Sequence, residues 1–355
     1  MTAPAAGERL VIALDAMGGD FAPRVTVEGA LEATRAGERV LLVGDAAVLR
    51  RELQALGAAP DAVRIVHAPD AIGMDEHAAM ELRHRQGASV YVSMELVKHG
   101  EAAAMVTLGN TGAGLAAALL SLGRLGGVER PGLGVPLPTP GGVTLMVDGG
   151  ANAENRPSHL VQFAHLGAAY MRTVEGLARP RVGLLNIGEE AGKGSPLTIA
   201  THDALTRSSL HFLGNVEGRD IAVHAVDVVV TDGFTGNVTL KVIEGTASLL
   251  LNEVRRAATS SWRGKLGGLL LRPALGGLRS RFDYRQYGAV PLLGVDGLVF
   301  IGHGRSDAHA VANAIRNAAQ AASRDLRGAL VEVARDARAT VEALREPAGS
   351  TNLDA

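Results

Sequence analysis

An apolar run that ends in a glycine-rich turn and passes straight into a helical pattern recurs along the chain. This unit constrains the fold more than any other feature. One instance joins the run from Ala102 to Leu108 through Gly109-Asn110-Thr111-Gly112-Ala113-Gly114 to a helical stretch from Leu115 to Leu122. Others start from Leu10-Val11-Ile12-Ala13-Leu14, Val40-Leu41-Leu42-Val43, Val143 to Val147, Arg181 to Leu185, Val226 to Val230 and Leu298 to Ile301. Alternating strand and helix predict a mostly parallel sheet with right-handed crossovers, an open three-layer α/β architecture. Helices are expected from about Pro23, over 46–56, 77–85, 89–98 and 158–174, from about Pro196, after Asn237, to about Ser323 and on to about Leu344. Between Gly123 and Gly142 the prolines Pro131, Pro136, Pro138 and Pro140 predict extended segments or turns. The expected organisation is one α/β domain over 1–345, a helical protrusion at about 240–285, and a disordered tail over 346–355.

Composition narrows the function classes. Aromatic residues are only 3% against 45 glycines, which favours tightly turned units packed on Ala, Leu and Val over an aromatic-rich sandwich. A formal net charge of −2 gives no electrostatic case for nucleic acid as the main partner. With no cysteine, thiol nucleophiles, thiolate metal sites and disulfides are excluded. The N-terminus lacks a basic signal-type region, and no stretch reaches the ~18 apolar residues that would suggest a membrane span. A cytoplasmic location is the expectation.

In an open α/β sheet the turns at the carboxyl ends of the strands face one crevice, where ligands bind. Those turns carry Asn110, Thr111, Gly112, Asn152, Asn186, Lys193, Asp232, Thr235, Gly236, Asn237 and His303. A rim of backbone N–H groups, neutral amides, one lysine and one histidine suits an oxygen-rich anion such as phosphate, and a developing oxyanion. Asn110 and Asn152 also fit plain helix capping, Lys193 a solvated loop lysine, and His303 a turn histidine that bonds its own loop. No G-x-S-x-G elbow is present. Asp15, Asp20, Asp148 and Asp232 do not form a recognised metal-ligand spacing, so no metal is expected.

The string Ile12-Ala13-Leu14-Asp15-Ala16-Met17-Gly18-Gly19-Asp20 resembles the opening signature of the PlsX-type phosphate acyltransferases. So do Gly109-Asn110-Thr111-Gly112-Ala113, Val182 to Gly188, and Val228 to Val238, in family order from about Leu10 to Ala322. The resemblance implies a Rossmann-like fold similar to phosphate acetyltransferases and isocitrate- and isopropylmalate-type dehydrogenases. It also implies transfer of a long-chain acyl group from acyl carrier protein to inorganic phosphate, without a cofactor. Lys193 is then expected as the phosphate or oxyanion cation, Asn237 as a donor to either, and His303 as an assisting donor or acid. Three positions depart from the family pattern: Thr107-Leu108 replaces Ser-Ala, Arg156 a common lysine, and Ile301 a lysine that many members carry.

Beyond the long helix, Trp262, Leu266, Leu269 and Leu270 line one face, with Arg263 and Lys265 between them. Leu275, Leu278 and Phe282 continue the apolar positions beside further arginines. A basic amphipathic stretch of this kind fits an anionic membrane surface bound peripherally, or the same element of a second copy in a homodimer. Two other classes compete. A decarboxylating dehydrogenase would need an aspartate metal cluster and a nicotinamide site, and no G-x-G-x-x-G turn follows the first strand. A non-enzymatic scaffold would have no need of a lined crevice.

Overall fold

The computed structural model describes residues 10–76, 81–267, 269–270 and 286–345. Eleven strands form one sheet: β1 (Val11–Asp15), β2 (Arg39–Gly44), β3 (Arg64–His67), β4 (Ala104–Thr107), β5 (Gly132–Thr139), β6 (Gly142–Val147), β7 (Arg181–Leu185), β8 (His211–Val216), β9 (Val228–Val230), β10 (Ala289–Leu293) and β11 (Val299–Gly302). Their order is β3-β2-β1-β4-β11-β10-β5-β6-β9-β7-β8. The strands from β3 to β11 pair in parallel, as do those from β6 to β8. Between these halves, β10 and β5 make three antiparallel joints, so the second half runs opposite to the first. The sheet is therefore mixed and mostly parallel.

Helices cover both faces. They are α1 (Arg24–Arg35), α2 (Ala46–Ala55), α3 (Ser89–Lys98), α4 (Thr111–Ser121), α5 (Pro157–Thr173), α6 (Pro196–Thr206), α7 (Gly218–Ala222), α8 (Gly233–Thr259), α9 (Ala308–Ser323) and α10 (Leu326–Arg345). The main core joins α1, α9, α5 and α10 to one face through Val27, Val311, Phe163 and Leu330, and Met94 and Ala117 of α3 and α4 belong to the opposite cluster. Each fully buried leucine or phenylalanine contributes ~1.5–3 kcal/mol through burial. In α5, every residue from His159 to Met171 is buried, so this helix is a packed centre rather than an amphipathic cover.

Most expected elements lie where the pattern puts them, and the differences have physical causes. The helix after Gly109 begins at Thr111, because Asn110 accepts hydrogen bonds from the Gly112 and Ala113 N–H groups and caps it. Part of the helix expected over 77–85 lies outside the described residues; Glu81 is helical and Leu82–His84 turn away, with the Glu81 carbonyl accepting from the His84 and Arg85 N–H groups. The proline-rich stretch forms β5. β10 pairs only with Gly132 and Leu133, so Pro136 and Pro138 lack an N–H where that ladder needs none. Neither β8 nor β10 is legible in the sequence pattern. Leu240, Ile243, Ala247, Leu250, Leu251 and Val254 share one face of α8 as spaced, yet only Gly233 and Gly236 of this helix are buried. The end of the expected protrusion, 271–285, and the expected tail, 346–355, lie outside the described residues.

Candidate functional site

Strand direction decides which turns can cooperate. The turns after β1, β4 and β11 leave one edge of the sheet, while those after β6, β7 and β9 leave the other. The expectation of one rim shared by all the turns, as in a simple doubly wound sheet, is corrected by this reversal. The candidate residues form two groups.

The first group is built on Asp15. Its buried carboxylate accepts hydrogen bonds from Ser89 Oγ at 2.6 Å and Thr107 Oγ1 at 2.7 Å, which ties the turn after β1 to that after β4. Burial pushes this carboxyl above the usual carboxylate range, against the pull of the two hydroxyls. Asn110 uses its oxygen in the cap and its amide on Met74 O at 2.7 Å, so the capping role holds and both ends of the side chain are committed. Thr111 and Gly112, the first residues of α4, are exposed, as is His303 in the turn after β11. In that turn Gly304 O accepts from Asp20 N, and Arg305 lies 3.8 Å from the Asp20 carboxylate.

The second group is built on Asp148, which has no exposed surface. One carboxylate oxygen accepts from the N–H groups of Leu133, Gly150 and Ala151 at 2.9–3.0 Å. The other accepts from Asn152 N at 2.9 Å and Asn152 Nδ2 at 2.8 Å. Five N–H donors thus take the place of a counter-ion. Asn152 spends its remaining amide hydrogen on Pro131 O, so it clamps the turn rather than capping a helix. Across this turn lies the start of α8. A Cβ at Gly236 would sit 1.9 Å from Asp148 O, and one at Gly233 would sit 2.2 Å from Asn152 O. Only glycine allows that approach. Gly150 needs glycine for its φ of 129°, and a Cβ there would lie 3.2 Å from Asn237 Cβ. Asp232 is the N-cap of α8, accepting from both the N–H and the hydroxyl of Thr235.

The adjacent turn, after β7, carries Asn186 and Lys193. Leu184 pairs with Val230, which sets the two turns side by side. Asn186 donates to Lys193 O at 2.9 Å and accepts from Ile187 N at 2.8 Å, closing the loop on itself. Lys193 and Asn237 are exposed, and among the described residues neither the ammonium nor the Asn237 amide has a hydrogen-bond partner. The structure thus brings Asn152, Asn186, Lys193, Asp232, Thr235, Gly236 and Asn237 to one edge, and places Asn110, Thr111, Gly112 and His303 at the other. Sequence pattern alone does not single out Asp148 as an organising residue. Its Gly-Gly-Ala-Asn sequel is the signal, because a carboxylate can accept only from the N–H groups that such a turn exposes. Among the described residues no group of three or more His, Asp or Glu side chains is placed to hold a metal ion.

The family model described as "Fatty acid synthesis protein" matches residues 10–328. A phosphate acyltransferase from Thermus thermophilus is 57% identical over 309 residues, covering 86% of this chain and 93% of the relative. Another from Pelotomaculum thermopropionicum is 44% identical over 343 residues, covering 96% and 98%. The chain belongs to the PlsX-type phosphate acyltransferase family. Its members are enzymes of fatty acid and phospholipid synthesis. Among solved structures, a phosphotransacetylase from Streptococcus pyogenes shares the fold at a TM-score of 0.59 and 17% identity, covering 89% of this chain and 94% of that one. A 4-hydroxythreonine-4-phosphate dehydrogenase from Klebsiella pneumoniae shares it at 0.55 and 14%, covering 89% and 100%.

Against the PlsX-type pattern, the three departures now have places. Thr107 does with its hydroxyl what a serine there would do, binding Asp15. Arg156 precedes α5, and its backbone N–H donates to His159. Ile301 is a buried residue of β11, close enough that a Cβ at Gly114 would lie 3.1 Å from its Cδ1. A lysine at that position would have to carry its charge past α4.

Proposed function

We propose that the chain transfers a long-chain acyl group from the thioester of acyl carrier protein to inorganic phosphate. A phosphate oxygen attacks the thioester carbonyl carbon, the carbon–sulfur bond breaks, and the products are acyl-phosphate and the carrier thiol. Phosphate is already nucleophilic at neutral pH, and a thiolate with a pKa of ~8.5 leaves without strong acid assistance. The protein's task is to hold phosphate against the carbonyl and to stabilise the tetrahedral oxyanion. The observation that carries this reading is the pair of uncommitted donors, Lys193 Nζ and the Asn237 amide, on neighbouring turns of one sheet edge. Lys193 serves as the cation for phosphate, and Asn237 donates to the oxyanion or to phosphate. Asn186, Asp232, Thr235 and Gly236 shape the turns that present them. Asn110, Thr111, Gly112 and His303 belong to the other edge, and no step in this scheme requires them.

The protrusion supplies the surface partners. No helix among the described residues is long and apolar enough to cross a membrane. Trp262, Leu266, Leu269 and Leu270 are each more than half exposed, with the Arg263 guanidinium 5.3 Å from the Trp262 ring. Peripheral contact with an anionic membrane fits these residues, and a homodimer contact fits the face of α8 from Leu240 to Val254. Together they describe a cytoplasmic enzyme that delivers its product to the bilayer. The test is incubation with hexadecanoyl-(acyl carrier protein) and phosphate. Phosphorus NMR should show an acyl-phosphate, with carrier thiol released only when phosphate is present. Thiol release independent of phosphate would sink the proposal.

A further inference from the structure

α8 carries two apolar faces, and a helix with two apolar faces needs two different covers. One face runs from Leu240 through Ile243 and Leu250 to Val254, and Leu240 packs on the cluster of Val135, Leu137 and Met146. The other consists of Phe234, Val238, Val242 and Leu249, at spacings of four, four and seven, with Gly245 in the gap. At about 100° per residue these four positions fall within roughly 80° of the helix circumference. All four are about half exposed or more, from 49% to 67%, and among the described residues none packs on a core cluster. The stripe spans roughly 22 Å along the axis, at about 1.5 Å per residue.

Its starting point gives it a function. Phe234 and Val238 bracket Asn237 in the first turns of α8, and Ile187, 79% exposed, stands on the adjacent turn beside the Lys193 loop. Exposed apolar side chains next to uncommitted polar donors are what an acyl thioester requires, with its carbonyl at the donors and its chain on the apolar surface. We propose that Ile187, Phe234, Val238, Val242 and Leu249 form a track along which the acyl chain lies, its carbonyl end at Asn237 and its methyl end pointing along the protrusion. This inference rests on the acyl-transfer reading and adds a source of chain-length selectivity to it. The far end of α8 leads into the exposed Trp262–Leu266 stretch, so a chain on the track is already directed away from the body of the sheet.

The experiment measures kcat/KM with hexadecanoyl- and butanoyl-(acyl carrier protein) at saturating phosphate, for the wild type, for Val242→Ser with Leu249→Ser, and for Leu250→Ser on the opposite face. Gel filtration of each protein accompanies the kinetics. The wild type should favour the long donor, and the double variant should lower the long-to-short ratio about tenfold, the scale of a few methylene contacts. Leu250→Ser should leave that ratio at the wild-type value. A wild-type ratio near one, or a double variant that loses both donors equally, overturns the track; equal loss together with a shift to monomer identifies the stripe as a subunit interface instead. If the wild type makes no acyl-phosphate from either donor, the acyl-transfer reading itself falls, a result distinct from an unchanged ratio.

Discussion

Asp148→Asn changes one atom of the residue on which the second group of turns is built, and its cost follows from the hydrogen bonds. In the wild type, one carboxylate oxygen accepts from three N–H groups and the other from two. An asparagine oriented to keep the first set turns its own NH2 toward the Asn152 N–H and Nδ2. Two charge-assisted bonds are lost and donors are set against donors, where there is no solvent to relieve them. Hydrogen bonds to a charged group contribute ~1.5–3 kcal/mol each, so the loss should be ~3–6 kcal/mol. That is a large part of the ~5–15 kcal/mol by which folded domains are stable. Urea unfolding followed by circular dichroism at neutral pH measures it, with the midpoint falling and the slope unchanged. Because Gly236 and Gly150 pack against this turn and Asn237, acyl transfer should fall as well in whatever fraction stays folded. An Asp148→Asn protein within ~1 kcal/mol of the wild type would refute the reasoning, since it would mean that the carboxylate does not depend on its five donors.

Three further outcomes are expected. Asn237→Ala should lower kcat for acyl transfer while leaving carrier-protein affinity and the unfolding midpoint near wild type, because Asp232, not Asn237, caps α8; a stability loss with activity spared would remove Asn237 from the chemistry. His165, packed in α5 and 3.4 Å from Thr340 of α10, is held by burial at a pKa of about 4, below its ordinary 6.5. The unfolded chain therefore binds the extra proton first, so this stabilisation is full above pH ~6.5 and is lost as pH falls toward 4, by up to ~3 kcal/mol. His165→Gln should flatten the stability profile over that interval, and an unchanged slope in urea titrations would contradict the assignment. Replacing Leu266 and Leu270 together by Glu should abolish sedimentation with phosphatidylglycerol vesicles, and vesicle binding that persists in the folded double variant would defeat the membrane reading.

What the sequence made legible was local. The strand–turn–helix rhythm located β1, β2, β4, β6, β7, β9 and β11, because their buried runs alternate with turn residues. It could not reveal the reversal between the two halves, which depends on β10 and β5. β10 is a short antiparallel strand far along the chain, and β5 holds prolines that argue against a central strand. That reversal is why Asn110 and His303 stand apart from Lys193 and Asn237, although all four follow strands. Likewise an asparagine's identity does not tell which of its hydrogen bonds are spent. Asn110 caps and Asn152 clamps, while the Asn237 amide has no partner among the described residues, and only the three-dimensional partners distinguish them. The apolar spacing of α8 was readable as well, but amphipathic spacing alone does not say how much of the face meets the core, and here only Leu240 of it packs on a core cluster among the described residues.

The most direct test of the central claim is the turnover of Lys193→Ala with hexadecanoyl-(acyl carrier protein), titrated with phosphate. Lys193 lies in an exposed loop with no ion-pair partner among the described residues, so the variant should keep the wild-type fold and unfolding midpoint. If its ammonium holds phosphate and the oxyanion, kcat/KM for phosphate should fall ~10²–10³-fold, the loss associated with one preorganised donor. Turnover near the wild-type value in the folded variant would contradict the account.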